Sequence, residues 1–303
     1  MRIFVAGATG YIGQAVVREL VAAGHAVTGL ARSAAKAKTV AALGATARAG
    51  DLTDPAGLAA AAADHDVLIH VANFYGEDRP VVDRAATFAL IDGARATAAP
   101  RHVIYTSGVW TLGNTGAIPA GEDAPTDRAP TVSTHRVSLE RDVVAAAGGD
   151  LATTVVRPGD VYGGREGVAS WLADWLPGAA GRSGIVHIGD GTNRWSLIER
   201  GDLARFYRRV VERRAEGMLH AVEDESVRVA DLAAALSRAS GLPVSSWPEA
   251  EARAALGAPM TEALLLDQVV AMPRARALLG WRPERPPFLR AVDAIWAQHR
   301  ARD

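Results

Sequence analysis

The sequence predicts an α/β protein: a parallel sheet doubly wound by helices, with a small C-terminal substrate lobe. Three observations carry the prediction. The chain opens with a short apolar run, Ile3 to Ala6, then glycines at 7, 10 and 13, then apolar residues at helical spacing from Gln14 to Ala22. Further runs of strand length recur at 26–31, 45–49, 66–72, 101–107 and 151–156, and runs that are apolar throughout suit strands buried on both faces. The 303 residues suffice for one large or two smaller domains. A dinucleotide-binding domain is expected over 1–163. A substrate-binding region is expected over 164–303, partly interleaved with the first.

The opening stretch reads as strand, glycine turn, helix. Gly7 can take the backbone conformation a tight turn needs. Gly10 lets the main chain approach a diphosphate, and Gly13 lets the helix pack closely on the strand. The unpaired N–H groups at the helix start, aided by the helix dipole, favour an anion there. Gly7, Thr9, Gly10, Tyr11, Ile12 and Gly13 are therefore the candidate phosphate grip.

The second strand, Ala26 to Ala31, ends in Arg32 and Ser33, with no acid at that position. An acid there would hold a ribose 2′-hydroxyl, whereas an arginine suits a 2′-phosphate, so NADP(H) is expected over NAD(H). After the third strand, Asp51 and Leu52 stand where the adenine would lie, and Asp54 with Pro55 opens a helix. The fourth strand, 66–72, leads to Val71, Ala72, Asn73 and Tyr75 at the edge where open parallel sheets bind ligands. His70, in an apolar run, reads as a core histidine. A helix is expected over 87–97. The fifth strand ends at Thr106 and Ser107. The turn-rich loop 116–130 suggests a flexible flap, and 132–147 reads as a helix. The sixth strand is followed by Pro158 and Gly159.

These motifs, in this order, resemble the extended short-chain dehydrogenases/reductases, and in particular the NAD(P)-dependent epimerase/dehydratase branch. The resemblance rests on the glycine turn, Gly50-Asp51, His70-Val71-Ala72, Tyr105-Thr106-Ser107-Gly108 and Arg157-Pro158 with Val161-Tyr162-Gly163. It continues through Trp195 to Ala204, Val227 to Gly241 and Ala275 to Pro283. It implies a Rossmann-type sheet, and a motif at Pro158–Tyr162 that shapes the backbone around the nicotinamide.

The resemblance breaks at the chemical centre. The family's Ser/Thr, Tyr and Lys, with Lys four residues after Tyr, supply proton transfer and lower the phenol's pKa. Aligned on the pattern downstream, Thr134 takes the Tyr position, Ser138 the Lys position and Gly108 the Ser/Thr position, with Ser107 beside it. No Tyr is followed four residues later by Lys anywhere in the chain. Candidate replacements are His135, whose ordinary pKa suits proton transfer, Arg136, which can hold an oxyanion, Tyr75 and Ser107; Tyr162 is another possible acid, but its motif favours a structural role. His135 and Arg136 are neighbours on a helix, so at most one is expected to face the nicotinamide. Both also fit a solvated helix face.

In the distal half, Trp171, Trp175 and Trp195 with Leu172, Leu176 and Leu197 suit either an apolar pocket or plain core. Glu199 reads as a surface or rim charge, and Asp202 as the cap of a helix over 203–213. Thirty-three basic against 34 acidic side chains leave no bulk field for nucleic acid or an anionic membrane surface. The absence of cysteine excludes thiol nucleophiles and zinc-thiolate sites, and no metal site is expected. A cytoplasmic reductase is expected, acting with NADP(H) on a small hydrophobic carbonyl or conjugated substrate, with a homodimer left open. A non-redox isomerase or cyclase that keeps the nucleotide as scaffold is an alternative, and so is a protein that only senses NADP(H).

Overall fold

The computed structural model describes residues 1–74 and 76–301. Strand β1 (Arg2–Ala6) leads into α1 (Tyr11–Ala22). The alternation continues through β2 (Ala26–Ala31), α2 (Ala34–Ala42), β3 (Thr46–Ala49), α3 (Pro55–Ala63), β4 (Val67–His70), α4 (Arg79–Arg95), β5 (Arg101–Thr106), α5 (Thr134–Ala145) and β6 (Leu151–Pro158). Then β7 (Asp160–Tyr162) leaves the main sheet. A helical stretch follows: α6 (Val168–Ser170), a π turn over Trp171–Trp175, and α7 (Leu176–Ala180). Next come β8 (Ile185–Ile188), β9 (Arg194–Glu199), α8 (Arg200–Arg213) and β10 (Gly217–Ala221). The chain ends with β11 (Ser226–Arg228), α9 (Val229–Ser240), β12 (Val244–Trp247), α10 (Glu249–Leu256), α11 (Ala258–Leu264), α12 (Pro273–Leu279) and α13 (Phe288–Arg300).

The main sheet has seven strands in the order β10-β6-β5-β4-β1-β2-β3. All its pairings are parallel. From β1 the chain winds outward through β2 and β3, then crosses back to β4 on the other side of β1. That reversal opens a crevice at the carboxyl ends of β1 and β4, where ligands bind in such sheets. Alternation along β1 feeds both cores: Ile3 and Val5 pack with α1 and α8, whereas Phe4 and Ala6 pack with α3, α4 and α5. Residues after 163 complete the sheet, because β10 pairs with β6 at its far edge. A third core joins β8, β9, α9 and α13. There β7 pairs parallel with β9, which pairs antiparallel with β11, and β8 pairs with β12. No described helix is long and apolar enough to cross a membrane.

Several local expectations change. Helix α4 begins at Arg79 rather than 87, with Pro80 in its first turn, where a missing N–H costs nothing. Asp54 accepts from Gly57 N at 3.0 Å, with Pro55 opening α3. Asp202 does not cap α8. The cap is Glu199, whose Oε2 accepts from Asp202 N at 2.9 Å, while the Asp202 carboxylate receives the backbone N–H groups of Glu284 and Arg285. The loop at 116–130 is pinned rather than free. Ala120 bridges to Val270, and buried Glu122 accepts from the backbone N–H of Arg274 at 3.1 Å and Ala275 at 3.0 Å.

Candidate cofactor and active site

The three opening glycines have different physical roles. Gly7 has φ +96°, and a Cβ on it would lie 2.5 Å from Ala72 N, so the turn abuts Val71 and Ala72 at the end of β4. A Cβ on Gly13 would lie 1.9 Å from the Gly7 carbonyl oxygen. Gly10 is exposed, and a Cβ there would meet only that same oxygen, at 3.4 Å. The chain's own packing therefore demands glycine at 7 and 13, whereas at 10 the cleared space faces outward. Gly10 is also the N-terminal cap of α1, with no side-chain cap and no acid in the first turn. The first-turn N–H groups stay available, and the dipole stays unopposed. Thr9 lies in the turn, with its carbonyl accepting from Gln14 Nε2 at 3.1 Å. Tyr11 donates from its hydroxyl to Gly163 O at 2.7 Å, beneath the Arg200 guanidinium 5.1 Å from its ring centre. Ile12 packs on the core.

Beyond the turn, a cavity of about 480 Å³ opens where β2 and β3 end, lined among others by Arg32, Ser33, Ala37, Gly50 and Asp51. Arg32 and Ser33 are exposed at its mouth, and Ser33 Oγ also caps α2 by accepting from Lys36 N at 3.3 Å. Asp51 accepts from Thr53 N and Oγ1, and these bonds, with Arg32 nearby, hold its carboxyl below the usual range. Leu52 is half-buried against the helix side of the sheet. The glycine turn after β1 and this cavity after β2 and β3 lie at the carboxyl ends of adjacent parallel strands, and the residues fit a dinucleotide: the turn for its diphosphate, Arg32, Ser33, Asp51 and Leu52 for its adenosine half.

Val71, Ala72 and exposed Asn73 follow β4 at the crevice. Tyr75 lies outside the described residues. At the end of β5, Thr106 Oγ1 meets the Tyr207 hydroxyl at 2.5 Å, and Thr106 O accepts from Arg136 NH1 at 3.1 Å. Ser107 donates its N–H to Val156 O at 2.8 Å, and its buried Oγ has no partner among the described residues. Pro158 and Gly159 are buried at the end of β6. A Cβ on Gly159 would lie 2.4 Å from Ser196 O, so β9 clamps this junction.

Helix α5 sends its two candidates in different directions. Arg136 reaches the sheet edge at Thr106. His135 turns toward α4, with Nε2 3.9 Å from Asp83 Oδ2, and lines a groove of about 600 Å³ with Pro80, Val81, Arg84 and Phe88. Burial, then the charges of Arg136 and Arg79, lower the His135 pKa to about 4. Asp83 is the centre of a buried cluster that sequence reasoning missed. It accepts from Tyr105 Oη at 2.8 Å and lies 3.3 Å from His70 Nε2. Burial alone would raise its pKa, but His70, Arg136 and Tyr105 hold it down at about 2. Thr134 and Ser138, at the expected Tyr and Lys positions, donate only to Thr131 O and His135 O on their own segment. The helix is anchored by a buried fork: Arg157 Nε donates to Glu140 Oε1 at 3.0 Å and NH2 to Oε2 at 2.6 Å.

The second lobe closes over this edge. Trp195 is buried, with Nε1 donating to Leu264 O at 3.1 Å, whereas Trp171 is half-buried between Trp195 and Trp110, at ring separations of 5.9 and 6.3 Å. Trp175 is 38% exposed. Tyr162 is buried and donates to Glu223.

A family model described as the NAD dependent epimerase/dehydratase family matches residues 3–221. The chain belongs to that family. It is 30% identical to the uncharacterized protein YLL056C of Saccharomyces cerevisiae, over 98% of this chain and 99% of that one. It is 32% identical to the 3-diazoavenalumate denitrifying reductase of a Streptomyces species, over 95% and 98%. Among solved structures, the human epimerase family protein SDR39U1, crystallised with NADPH, superposes with a TM-score of 0.78 over 98% of this chain and 99% of that one, at 24% identity. That likeness is one of fold.

Proposed function

We propose that the protein is a reductase that prefers NADP(H) to NAD(H) and acts on a small, largely apolar carbonyl or conjugated substrate. The observation that carries the reading is that the uncapped α1 N-terminus with Gly10, after β1, and the cavity headed by Arg32, after β2, stand at the carboxyl ends of neighbouring parallel strands. Arg32 stands at the ribose end, where a guanidinium forks onto a 2′-phosphate. The Streptomyces relative, named as a reductase and aligned over nearly its whole length, supports hydride chemistry.

When bound, the nicotinamide supplies hydride. The chain's part is to hold the acceptor and handle its charge. Arg136, turned to the end of β5, supplies positive charge beside the crevice, and the Ser107 hydroxyl is free to donate to a substrate oxygen. His135 is neutral near pH 7 and faces Asp83, so it serves the packing of α4 against α5 rather than donating a proton to the substrate. The half-buried faces of Trp110 and Trp171 give the substrate an apolar wall.

Calorimetric titration tests the cofactor reading. NADPH is expected to bind more tightly than NADH. The substitution Arg32→Ala should weaken NADPH by roughly 10-fold to 150-fold, the worth of a charge-assisted bond of about 1.5–3 kcal/mol, and leave NADH nearly unchanged. Equal losses for both cofactors would refute the phosphate role. Tight cofactor binding without absorbance change at 340 nm across a carbonyl panel would favour the scaffold or sensor alternatives.

A further inference from the structure

Asp160 is the first residue of β7, directly after the clamped Gly159. It is only 6% exposed, and its Oδ2 has no hydrogen-bond partner among the described residues. Its neighbours offer it almost nothing. Among the described residues, the Trp110 indole N–H is the one side-chain group that stabilises its charge. The charged groups on the packed elements are otherwise engaged: Arg157 on β6 with Glu140, Arg194 on β9 with Asp267, and Glu199 on β9 with Arg285. Tyr162, two residues on, is bonded to Glu223. An isolated carboxyl in such a setting holds its proton, and burial pushes Asp160 up to about 7. A buried acid whose second oxygen points at no acceptor is costly to keep unless a ligand completes it. The position is at the carboxyl edge of the sheet, next to Pro158 and Gly159. On the adjoining strand end, the buried Ser107 hydroxyl also has no partner among the described residues.

We propose that Asp160 is the catalytic acid that replaces the missing phenol, its Oδ2–H donating to the substrate's carbonyl oxygen. This rests on the reductase reading above. In the step, the carbonyl carbon gains a hydride from the reduced dinucleotide and the C=O π bond breaks. The oxygen takes the proton from Asp160, leaving an alcohol, the oxidised dinucleotide and an Asp160 carboxylate. Water restores the proton between turnovers. Ser107 donates a second hydrogen bond to the same oxygen, and Trp110 steadies the carboxylate as it forms. The substrate class that fits is a carbonyl on a small aromatic or conjugated frame, seated against Trp110 and Trp171.

Asp160→Asn tests this with the full-length protein and 4-nitrobenzaldehyde as probe. Infrared difference spectra of the substrate-free protein should show a protonated carboxyl band that is present at pH 6, lost by pH 9 and absent in D160N. In turnover, wild-type kcat/KM should fall as pH rises through about 7, since the acid must be protonated. D160N should lose about 100-fold in kcat and lose that pH limb, with NADPH affinity preserved and a single cooperative thermal transition retained. Absence of a titrating carboxyl band, or a D160N rate and pH profile like the wild type, would overturn the assignment of Asp160. Failure of the wild type to bind NADPH or to oxidise it with the probe would instead remove the reductase reading, and the acid role with it.

Discussion

Asp160 also makes a thermodynamic prediction that needs no substrate. Its ordinary pKa of 3.8 rises to about 7 in the fold. Between those values the folded protein keeps a proton that the unfolded chain has released. Stability therefore falls as pH climbs through this window, and the penalty is complete above pH 7. At about 1.4 kcal/mol per pH unit the shift corresponds to at most roughly 4 kcal/mol. Asn cannot ionise. Its own cost, a buried amide replacing a carboxyl, does not change with pH. Urea unfolding of wild type and D160N should thus give curves whose difference is flat below pH 4. D160N should gain steadily up to pH 7, and the difference should be level again above it. The other buried groups that titrate here, Glu223 and His135 among them, are common to both proteins and cancel in the difference. A difference constant from pH 4 to pH 8 would show that Asp160 ionises freely in the fold and would refute the reasoning.

Three further outcomes follow from the geometry. Gly13→Ala should unfold at markedly lower urea than wild type, because its Cβ would sit 1.9 Å from a carbonyl oxygen, whereas Gly10→Ala should keep wild-type stability yet lose nucleotide affinity in calorimetry. Glu140→Gln should destabilise by about 3–5 kcal/mol in the same assay, since Arg157 would remain buried without a counter-charge. Arg136→Ala should lower kcat for NADPH oxidation with 4-nitrobenzaldehyde by more than His135→Ala does, given that only Arg136 reaches the β5 end; the reverse order would move the chemistry toward the α4–α5 groove.

The strand, glycine turn and helix at the start were legible because their physics is local, and the structure requires glycine at 7 and 13. Gly7, Gly10 and Gly13 act through backbone geometry, and Arg32 acts through its place at a strand end. Each such signal lies within a few residues. Six of the seven strands of the main sheet were legible for the same reason, as short runs of strand length, whereas β10, which joins β6 only after the chain's detour through the second core, was not. What failed depends on partners far away in sequence. Glu199 and not Asp202 caps α8, because Asp202 is drawn to the backbone of 284–285. The loop after Gly113 looked free until Glu122 was seen to take the N–H groups of Arg274 and Ala275. Helix α4 hid its first two turns behind Arg79, Asp83 and Arg84, and Asp83 is polar because it serves a buried cluster rather than solvent. Asp160 was overlooked inside a motif read as backbone scaffolding. A lone acid in an otherwise apolar run from Val155 to Tyr162, broken only by Arg157 and its paired charge, was the available clue.

The Tyr11 hydroxyl ties the first residue of α1 to Gly163, 152 positions along the chain. One end of that tether sits at the start of the glycine-turn helix and the other where the chain leaves the main sheet after β7. A ligand that displaced the start of α1 would strain this bond and with it the position of Gly163. By reciprocity, a ligand that shifted Gly163 would change the affinity for one bound at α1 by the same factor.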